Sequence, residues 1–235
     1  MDAVILAAGK GTRLSEITKE KPKCLIDVGK VTILQRQLEY LSNNGVQKIY
    51  LVIGYKGEMI KNSVKNSENV HIIENKEYAI TDNIYSLYLT KDFIKGKEFI
   101  LVNGDVVCDE EIIRRILKIK GKNVAPIDSK YYDLEKLKVR IEDGFVKEIL
   151  PKNAPREISS GSTIGIFKFS SGGSNLLFEE VEKCIKQKIR EKWFEFALNR
   201  ILPKLKMIPL DIHGLKWIEV DTTEDVIKAR KLFGE

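Results

Sequence analysis

The apolar residues of this chain come in short runs, separated by segments where they recur every three or four positions. Residues 3–7 form a continuous apolar run, the pattern of a strand buried on both faces. Leu34, Leu38 and Leu41 fall on one helical face, and Asn43-Asn44-Gly45 ends that helix. Lys48–Ile53 reads as the next strand, 58–66 as a helix and Val70–Glu74 as a third strand. A short helix over 83–90 and a strand over 98–102 follow. Residues 109–119 make an amphipathic helix with acids in the first turn, where the helix dipole favours them, and 124–127 make another strand. This alternation predicts an α/β fold, a doubly wound, mainly parallel, Rossmann-like mixed sheet with helices on both faces.

The pattern then changes. Lys138–Glu142, Asp143-Gly144 and Phe145–Leu150 predict a β-hairpin with a tight turn, an antiparallel elaboration of the second half. Strands are expected over 162–169 and 206–211, and helices over 175–188 and 194–202. A last helix starts near Thr223, with Thr222 and Asp225 as a capping pair. No repeat, low-complexity tract or linker interrupts the chain, so a single domain over 1–235 is expected.

Composition narrows the class. A chain of 235 residues, 43% hydrophobic and 31% charged, can bury a sizeable core in the ordinary way. No apolar run reaches the roughly 18 residues of a membrane span, and no signal-peptide pattern opens the chain. Cys24, Cys108 and Cys184 are scattered, which fits a reducing compartment and no disulfide framework. A cytoplasmic protein without membrane insertion is therefore expected. Its net charge of +6 is spread along the sequence, the mark of a solvated Lys/Glu surface and not of a nucleic-acid face. Two histidines count against a histidine-built metal site.

The candidate chemistry begins at the end of the first strand. LAAGKGTRL, residues 6–14, would leave the carboxyl end of that strand, where open α/β sheets bind ligands. Gly9 and Gly11 let the backbone approach a ligand, and successive N–H groups in such a turn cradle phosphate oxygens. Arg13 adds a planar donor, and Lys23, in KPKCL at 21–25, adds a point charge. Two glycines alone fit a structural turn as well as a ligand loop; with both cations they point to a polyphosphate. The spacing matches neither G-x-G-x-x-G nor a Walker A loop, which counts against hydride transfer and ATP hydrolysis.

Together, LAAGKGTRL and KPKCL resemble the signature of the nucleotidyltransferases that act on sugar phosphates and related phosphomonoesters. The resemblance extends along the chain. Asn103-Gly104-Asp105 follows a strand where the family places a metal-binding Asp, and WIEVDT at 217–222 resembles the segment that carries its second carboxylate. The resemblance implies Leu6, Ala7, Ala8, Gly9, Gly11, Thr12 and Gly104 at the nucleotide, with Arg13 and Lys23 as the cations of catalysis. It implies Mg²⁺, one ion or two, on Asp105 and Asp221. It assigns the nucleotide to 1–127, and the acceptor and second carboxylate to 128–235.

TDNIYSLYL at 81–89 looks like the cytidylyltransferase branch, which implies CTP, with Asp82, Asn83 and Ser86 near the base or ribose. By the same resemblance Lys138 and Lys152 would contact the phosphate of a small phosphorylated acceptor. Lys136 stands where phosphocholine enzymes usually place a Trp, which leaves inositol-1-phosphate, a sugar phosphate or an amino-phospho compound open. Trp193 and Phe194 read as packing residues, with pocket lining as their other use. A monomer or homodimer fits. The rival readings are a sugar-1-phosphate uridylyl-, thymidylyl- or guanylyltransferase and, more remotely, a nucleotide-binding regulatory paralogue without turnover.

Overall fold

The computed structural model describes residues 1–234; Glu235, the last residue of the expected domain, lies outside them. The strands are β1 (Asp2–Ala7), β2 (Lys48–Ile53), β3 (Val70–Glu74), β4 (Phe99–Asn103), β5 (Val106–Cys108) and β6 (Asn123–Asp128) in the first half. In the second they are β7 (Lys138–Glu142), β8 (Phe145–Leu150), β9 (Gly161–Thr163), β10 (Ile166–Phe169), β11 (Met207–Asp211) and β12 (Trp217–Glu219). The helices are α1 (Ser15–Thr18), α2 (Ile33–Asn43), α3 (Gly57–Val64), α4 (Asn83–Tyr88), α5 (Lys91–Ile94), α6 (Glu110–Lys118), α7 (Ser171–Lys186), α8 (Glu195–Leu205) and α9 (Thr223–Phe233).

Ten strands form one mixed sheet in the order β11-β8-β7-β9-β6-β10-β4-β1-β2-β3. The β3-β2-β1-β4 part is parallel, as is the extra pairing of β11 with β6. β10 runs antiparallel between β4 and β6, and the β7–β8 hairpin sits beyond β9. Alternation along β1 explains the layers. Val4 and Leu6 face a core shared with Ile84, Leu87, Leu177 and Phe178, whereas Ala3 and Ile5 face Leu34, Leu41, Ile60 and Ile112. Helices therefore cover both faces. Phe99 is fully buried and stacks on Phe169 at 5.2 Å, a contact whose burial contributes roughly 1.5–3 kcal/mol per ring.

Several elements differ from expectation. The strand expected over 162–169 divides into β9 and β10, because Gly165 takes φ +72° and its carbonyl accepts from Asn103 N–H at 2.9 Å. α7 begins at Ser171, well before 175: Ser170 Oγ accepts from Gly173 N–H at 3.1 Å, so Gly172 and Gly173 form a capped first turn instead of a loop. The strands β5 and β12 have no counterpart in the sequence reading. They pair antiparallel as a separate two-stranded sheet, with Trp217 opposite Cys108 and Glu219 opposite Val106. No helix among the described residues is long and apolar enough to cross a membrane.

Candidate active site

Parallel pairing sets Leu6 of β1 beside Asn103 of β4, so the loops after these two strands emerge side by side. Gly104 N–H donates to Leu6 O at 2.9 Å. A Cβ at Gly104 would lie 2.8 Å from that oxygen, which makes glycine a steric requirement where the loops cross. Gly11 takes φ +63°, and its carbonyl accepts from Leu14 N–H at 3.0 Å and from Thr18 Oγ1 at 3.2 Å. These bonds fold the glycine loop back on itself. Among the described residues the N–H groups of Gly9, Lys10 and Gly11 meet no protein acceptor, the condition for an anion cradle.

The small β5–β12 sheet brings in the other half of the site. Beyond the Glu219–Val106 pair, Val220 N–H donates to Asp105 O at 2.9 Å, which sets Asp221 beside Asp105. Asp221 is held from behind by the α9 cap. Asp225 Oδ2 accepts from Asp221 N–H at 3.1 Å and Thr222 N–H at 2.9 Å, and Thr222 Oγ1 accepts from Asp225 N–H, the expected capping pair.

Lys23 stands between the two carboxylates. Its Nζ lies 2.8 Å from Asp105 Oδ2 and 2.7 Å from Asp221 Oδ1. Burial works to lower the Lys23 pKa, but the two carboxylates outweigh it and hold the group above its usual value. Arg13 reaches Asp221 at 2.8 Å and, on its exposed side, Glu135 at 3.3 Å. Lys136 Nζ lies 3.0 Å from Glu219 Oε2 and 3.6 Å from Asp221 Oδ2. Burial would raise the Asp221 pKa, yet Lys23, Lys136 and Arg13 together hold it below the usual carboxylate range.

The donor set fits a hard divalent cation. Two carboxylates converge on one point, and Asp105 Oδ1 and Asp221 Oδ2 are buried without a hydrogen-bond partner among the described residues. No cluster of three or more acidic, His or Cys side chains that could hold a metal ion occurs there. Mg²⁺ is commonly held by one or two carboxylates, with substrate phosphates and water completing the shell.

These groups line a cleft of about 240 Å³. Leu6, Ala7, Ala8, Gly9 and Gly11 form one wall with Gly104, and Arg13, Lys23, Asp105 and Asp221 form the floor. Thr12 is exposed and outside the lining. Asp82, Asn83 and Ser86 all line the cleft, but their side chains already have partners. Asp82 Oδ1 accepts from Asn83 N–H, Asn83 Oδ1 accepts from Phe194 N–H at 2.6 Å, and Ser86 Oγ accepts from Asn75 Nδ2 at 3.1 Å. Asn83 therefore acts as a tie to the segment that carries Trp193.

The two acceptor lysines separate. Lys152 lines the cleft, its Nζ 5.5 Å from the centre of the Trp193 ring. Lys138 does not line it: the side chain is 0% exposed. Its Nζ donates to the carbonyls of Asp133, Lys136 at 2.6 Å and Lys152 at 2.7 Å, and burial lowers its pKa. With three donors spent on three carbonyls, Lys138 ties together the loops that carry Lys136 and Lys152, and a direct phosphate contact is not its place in this structure.

Several cleft residues were not singled out in the sequence reading. Glu219 lies within the quoted WIEVDT segment and was legible there. Thr81 opens the quoted TDNIYSLYL segment, whereas Asn75 carried no signal. Glu195 also carried none, because an acid in the first turn of a helix is ordinary. Phe194 is fully buried in the core, whereas Trp193 is 43% exposed and lines the cleft.

Glu195 is 7% exposed, and its Oε2 has no hydrogen-bond partner among the described residues. Burial, reinforced by Glu219, Asp82 and Asp105, pushes its carboxyl up to about 8. Between the ordinary carboxyl range and about 8 the folded protein then binds more protons than the unfolded chain, so stability falls as pH rises through that window. Glu195→Gln removes this loss. The variant is expected to gain roughly 5 °C in Tm at pH 8.5 and nothing at pH 5, on the scale of about 2–4 °C per kcal/mol. Equal shifts at both pH values in a thermal scan would show that Glu195 is not held in this way.

The comparisons agree with this architecture. The family model described as Nucleotidyl transferase matches residues 2–128. A bifunctional IPC transferase and DIPP synthase from Aquifex aeolicus is 33% identical over 231 residues, 97% of this chain and 51% of that protein. A bifunctional protein GlmU from Methanococcus vannielii is 30% identical over 241 residues, 99% of this chain and 55% of that protein. A CTP:phosphoglutamine cytidylyltransferase from Campylobacter jejuni is 29% identical over 188 residues, 72% of this chain and 73% of that protein. The chain thus spans about half the length of the first two relatives. The solved structure of CTP:phosphocholine cytidylyltransferase from Streptococcus pneumoniae has the same fold, with a TM-score of 0.83 at 21% identity over 98% of this chain and 97% of that one. A glycine loop and a carboxylate pair at one cleft, with a family match over more than half of the sequence, place this chain in the nucleotidyl transferase family.

Proposed function

We propose that this protein is a cytidylyltransferase, joining CTP to a small phosphomonoester or phosphonate with release of pyrophosphate. The observation that carries the reading is the convergence of Lys23 and Arg13 with Asp105 and Asp221 on one point beside the glycine loop. Support for CTP comes from the TDNIYSLYL segment, whose Asp82, Asn83 and Ser86 line the cleft, and from the named activity of the C. jejuni relative.

In this reading an oxygen of the acceptor phosphate attacks the α-phosphorus. A new O–P bond forms, the bond between the α-phosphorus and its bridging oxygen breaks, and pyrophosphate leaves with the electron pair. The nucleophile is already an anion, so no side chain needs to take a proton. What remains is positioning and charge neutralisation. The Gly9–Gly11 amides and Arg13 hold the outer phosphates. Lys23, released from its carboxylate partners, neutralises the α-phosphate. Mg²⁺ held by Asp105 and Asp221 supplies further charge neutralisation at the phosphates when bound. Lys152 receives the acceptor phosphate, and Lys138 fixes the loop that presents it. Residues 1–127 thus serve the nucleotide, and 128–235 serve the acceptor and supply the second carboxylate.

The test is pyrophosphate release with Mg²⁺, crossing the common nucleoside triphosphates with phosphocholine, inositol-1-phosphate, 2-aminoethylphosphonate, glycerol-3-phosphate and glucose-1-phosphate. Signal confined to CTP is the expected result. Signal with UTP, dTTP or GTP and glucose-1-phosphate would overturn the base assignment. Silence in every row, with CTP bound in the presence of Mg²⁺, would replace an enzyme with a binding protein.

A further inference from the structure

On α2, Gln37 lies three residues after Leu34 and four before Leu41, both fully buried. Helical spacing therefore puts a polar side chain at a core position, where it is 8% exposed. Its amide is aimed at the turn that carries Asp105. Gly104 and Asp105 are the two residues between β4 and β5. Gln37 Nε2 donates to Asn103 O at 2.9 Å and to Val106 O at 2.7 Å, the carbonyls on either side of that pair. The other backbone bonds of the turn are Gly104 N–H to Leu6 O and Val220 N–H to Asp105 O, each 2.9 Å. Among the described residues no other side chain bonds the backbone of 103–106.

The chemistry of the position selects an amide. Its NH₂ carries two protons on one nitrogen, and both are spent on the turn. A hydrocarbon side chain offers none, and an ionised Glu would set acceptors against acceptors. Water has no room to take over. The hollow beside Gln37, lined by Leu41, Val102 and Val106, holds about 10 Å³, at the lower limit of the roughly 10–15 Å³ that one water needs. The fold also bears a cost for this arrangement: Gln37 Oε1 is buried without a hydrogen-bond partner among the described residues.

We infer that Gln37 is a positioning residue for Asp105: it clamps both ends of the turn and so holds the carboxylate at its 2.8 Å contact with Lys23, opposite Asp221. Gln37 does not line the cleft and acts only through the backbone of 103–106. The inference rests on the reading of Asp105 as a carboxylate of the reaction.

The experiment compares the wild-type protein with Gln37→Met and Ile60→Ala. Methionine keeps the length and bulk of the side chain and donates nothing. Ile60, fully buried on α3 and outside both the hollow and the cleft, is the control for lost packing alone. Pyrophosphate release is read with CTP, Mg²⁺ and the acceptor of the panel above that turns over fastest, beside thermal unfolding and a crystal structure of each variant. Loss of a group that orients a catalytic ligand costs about 10–100-fold, and a shift of about 1 Å is enough to do it. Gln37→Met is therefore expected to lower kcat by about 10–100-fold, with KM for CTP within about threefold of wild type. Its Asp105 carboxylate should move by about 1 Å relative to Asp221. Ile60→Ala should melt lower and keep kcat within about twofold. A Gln37→Met protein that melts lower but keeps kcat within about twofold would overturn the inference, and so would an unmoved Asp105 in its crystal structure. Equal losses of kcat in both variants would overturn it as well, since instability alone would then account for them. Should Gln37→Met fail to fold, Gln37→Asn, whose amide stops one methylene short of the carbonyls, takes its place with the same expected outcomes. Silence from the wild type with every nucleotide would sink the reading of the reaction, and the place of Asp105 in the variant's crystal structure would then decide the inference alone.

Discussion

Asp221→Asn is expected to lower kcat by about 10²–10³-fold, the scale seen when one fixed electrostatic contact to a developing charge is lost. Asp221 lies at the point where Lys23, Arg13 and Lys136 meet, and its Oδ2 is buried without a hydrogen-bond partner among the described residues. The amide keeps the shape of the side chain, and the backbone bond to Asp225 that fixes residue 221 does not involve the substituted atoms. The fold should therefore survive, as circular dichroism would check. Asp105→Ala should fail in the same way, because its carboxylate faces the same Lys23 ammonium at 2.8 Å. Either variant turning over within tenfold of wild type at saturating Mg²⁺ would remove that carboxylate from the reaction.

Lys23→Met is expected to lose both activity and stability. The drop in kcat should again be about 10²–10³-fold, since the proposed reaction loses the cation assigned to its α-phosphate. The stability loss has a pH signature. In the native protein cations hold the Asp221 pKa down, so the pairing stabilises the fold above the unfolded carboxyl range and is lost as pH falls through the lowered value. Removing Lys23 leaves Asp105 and Asp221 facing each other. Breaking one partner from a buried ion pair costs about 3–5 kcal/mol when nothing else compensates. Arg13 and Lys136 still reach Asp221, so about 2 kcal/mol at pH 7 is the expected loss. At pH 4 the variant relieves itself by protonating a carboxylate, and the gap should shrink. Urea unfolding at the two pH values measures this; an equal gap at both would mean that Lys23 stabilises the fold by packing alone.

The parallel half of the sheet was legible because buried strands and amphipathic helices differ in period. Residues 3–7 and 49–53 are continuous apolar stretches, residues 70–73 are β-branched but for His71, and Leu34, Leu38 and Leu41 keep helical spacing. The glycine wall of the cleft was legible for a different reason: glycines and cations at fixed offsets carry their chemistry in the sequence itself. Pairing geometry was not. Val106–Cys108 and Trp217–Glu219 are each three residues long, below the length at which a period can be read. Their antiparallel register nevertheless decides that Asp105 and Asp221 meet. Lys138 was misplaced because the sequence says where a lysine is but not which carbonyls surround it. Glu195 was invisible because its meaning depends on burial, and burial depends on the loop that Asn83 ties down.

The β5–β12 pair has a consequence for assembly. It joins Asp105 to a carboxylate that lies 116 residues further along the chain, and it does so through one three-residue ladder. Closing so long a loop costs chain entropy that a short ladder offsets only in part. The floor of the cleft is thus expected to close late in folding and to open early under stress. Activity should fade under mild denaturant before the central sheet unfolds. Nucleotide with its metal, by bridging the two sides of that joint, should protect α9 from proteases well before it raises the global melting point.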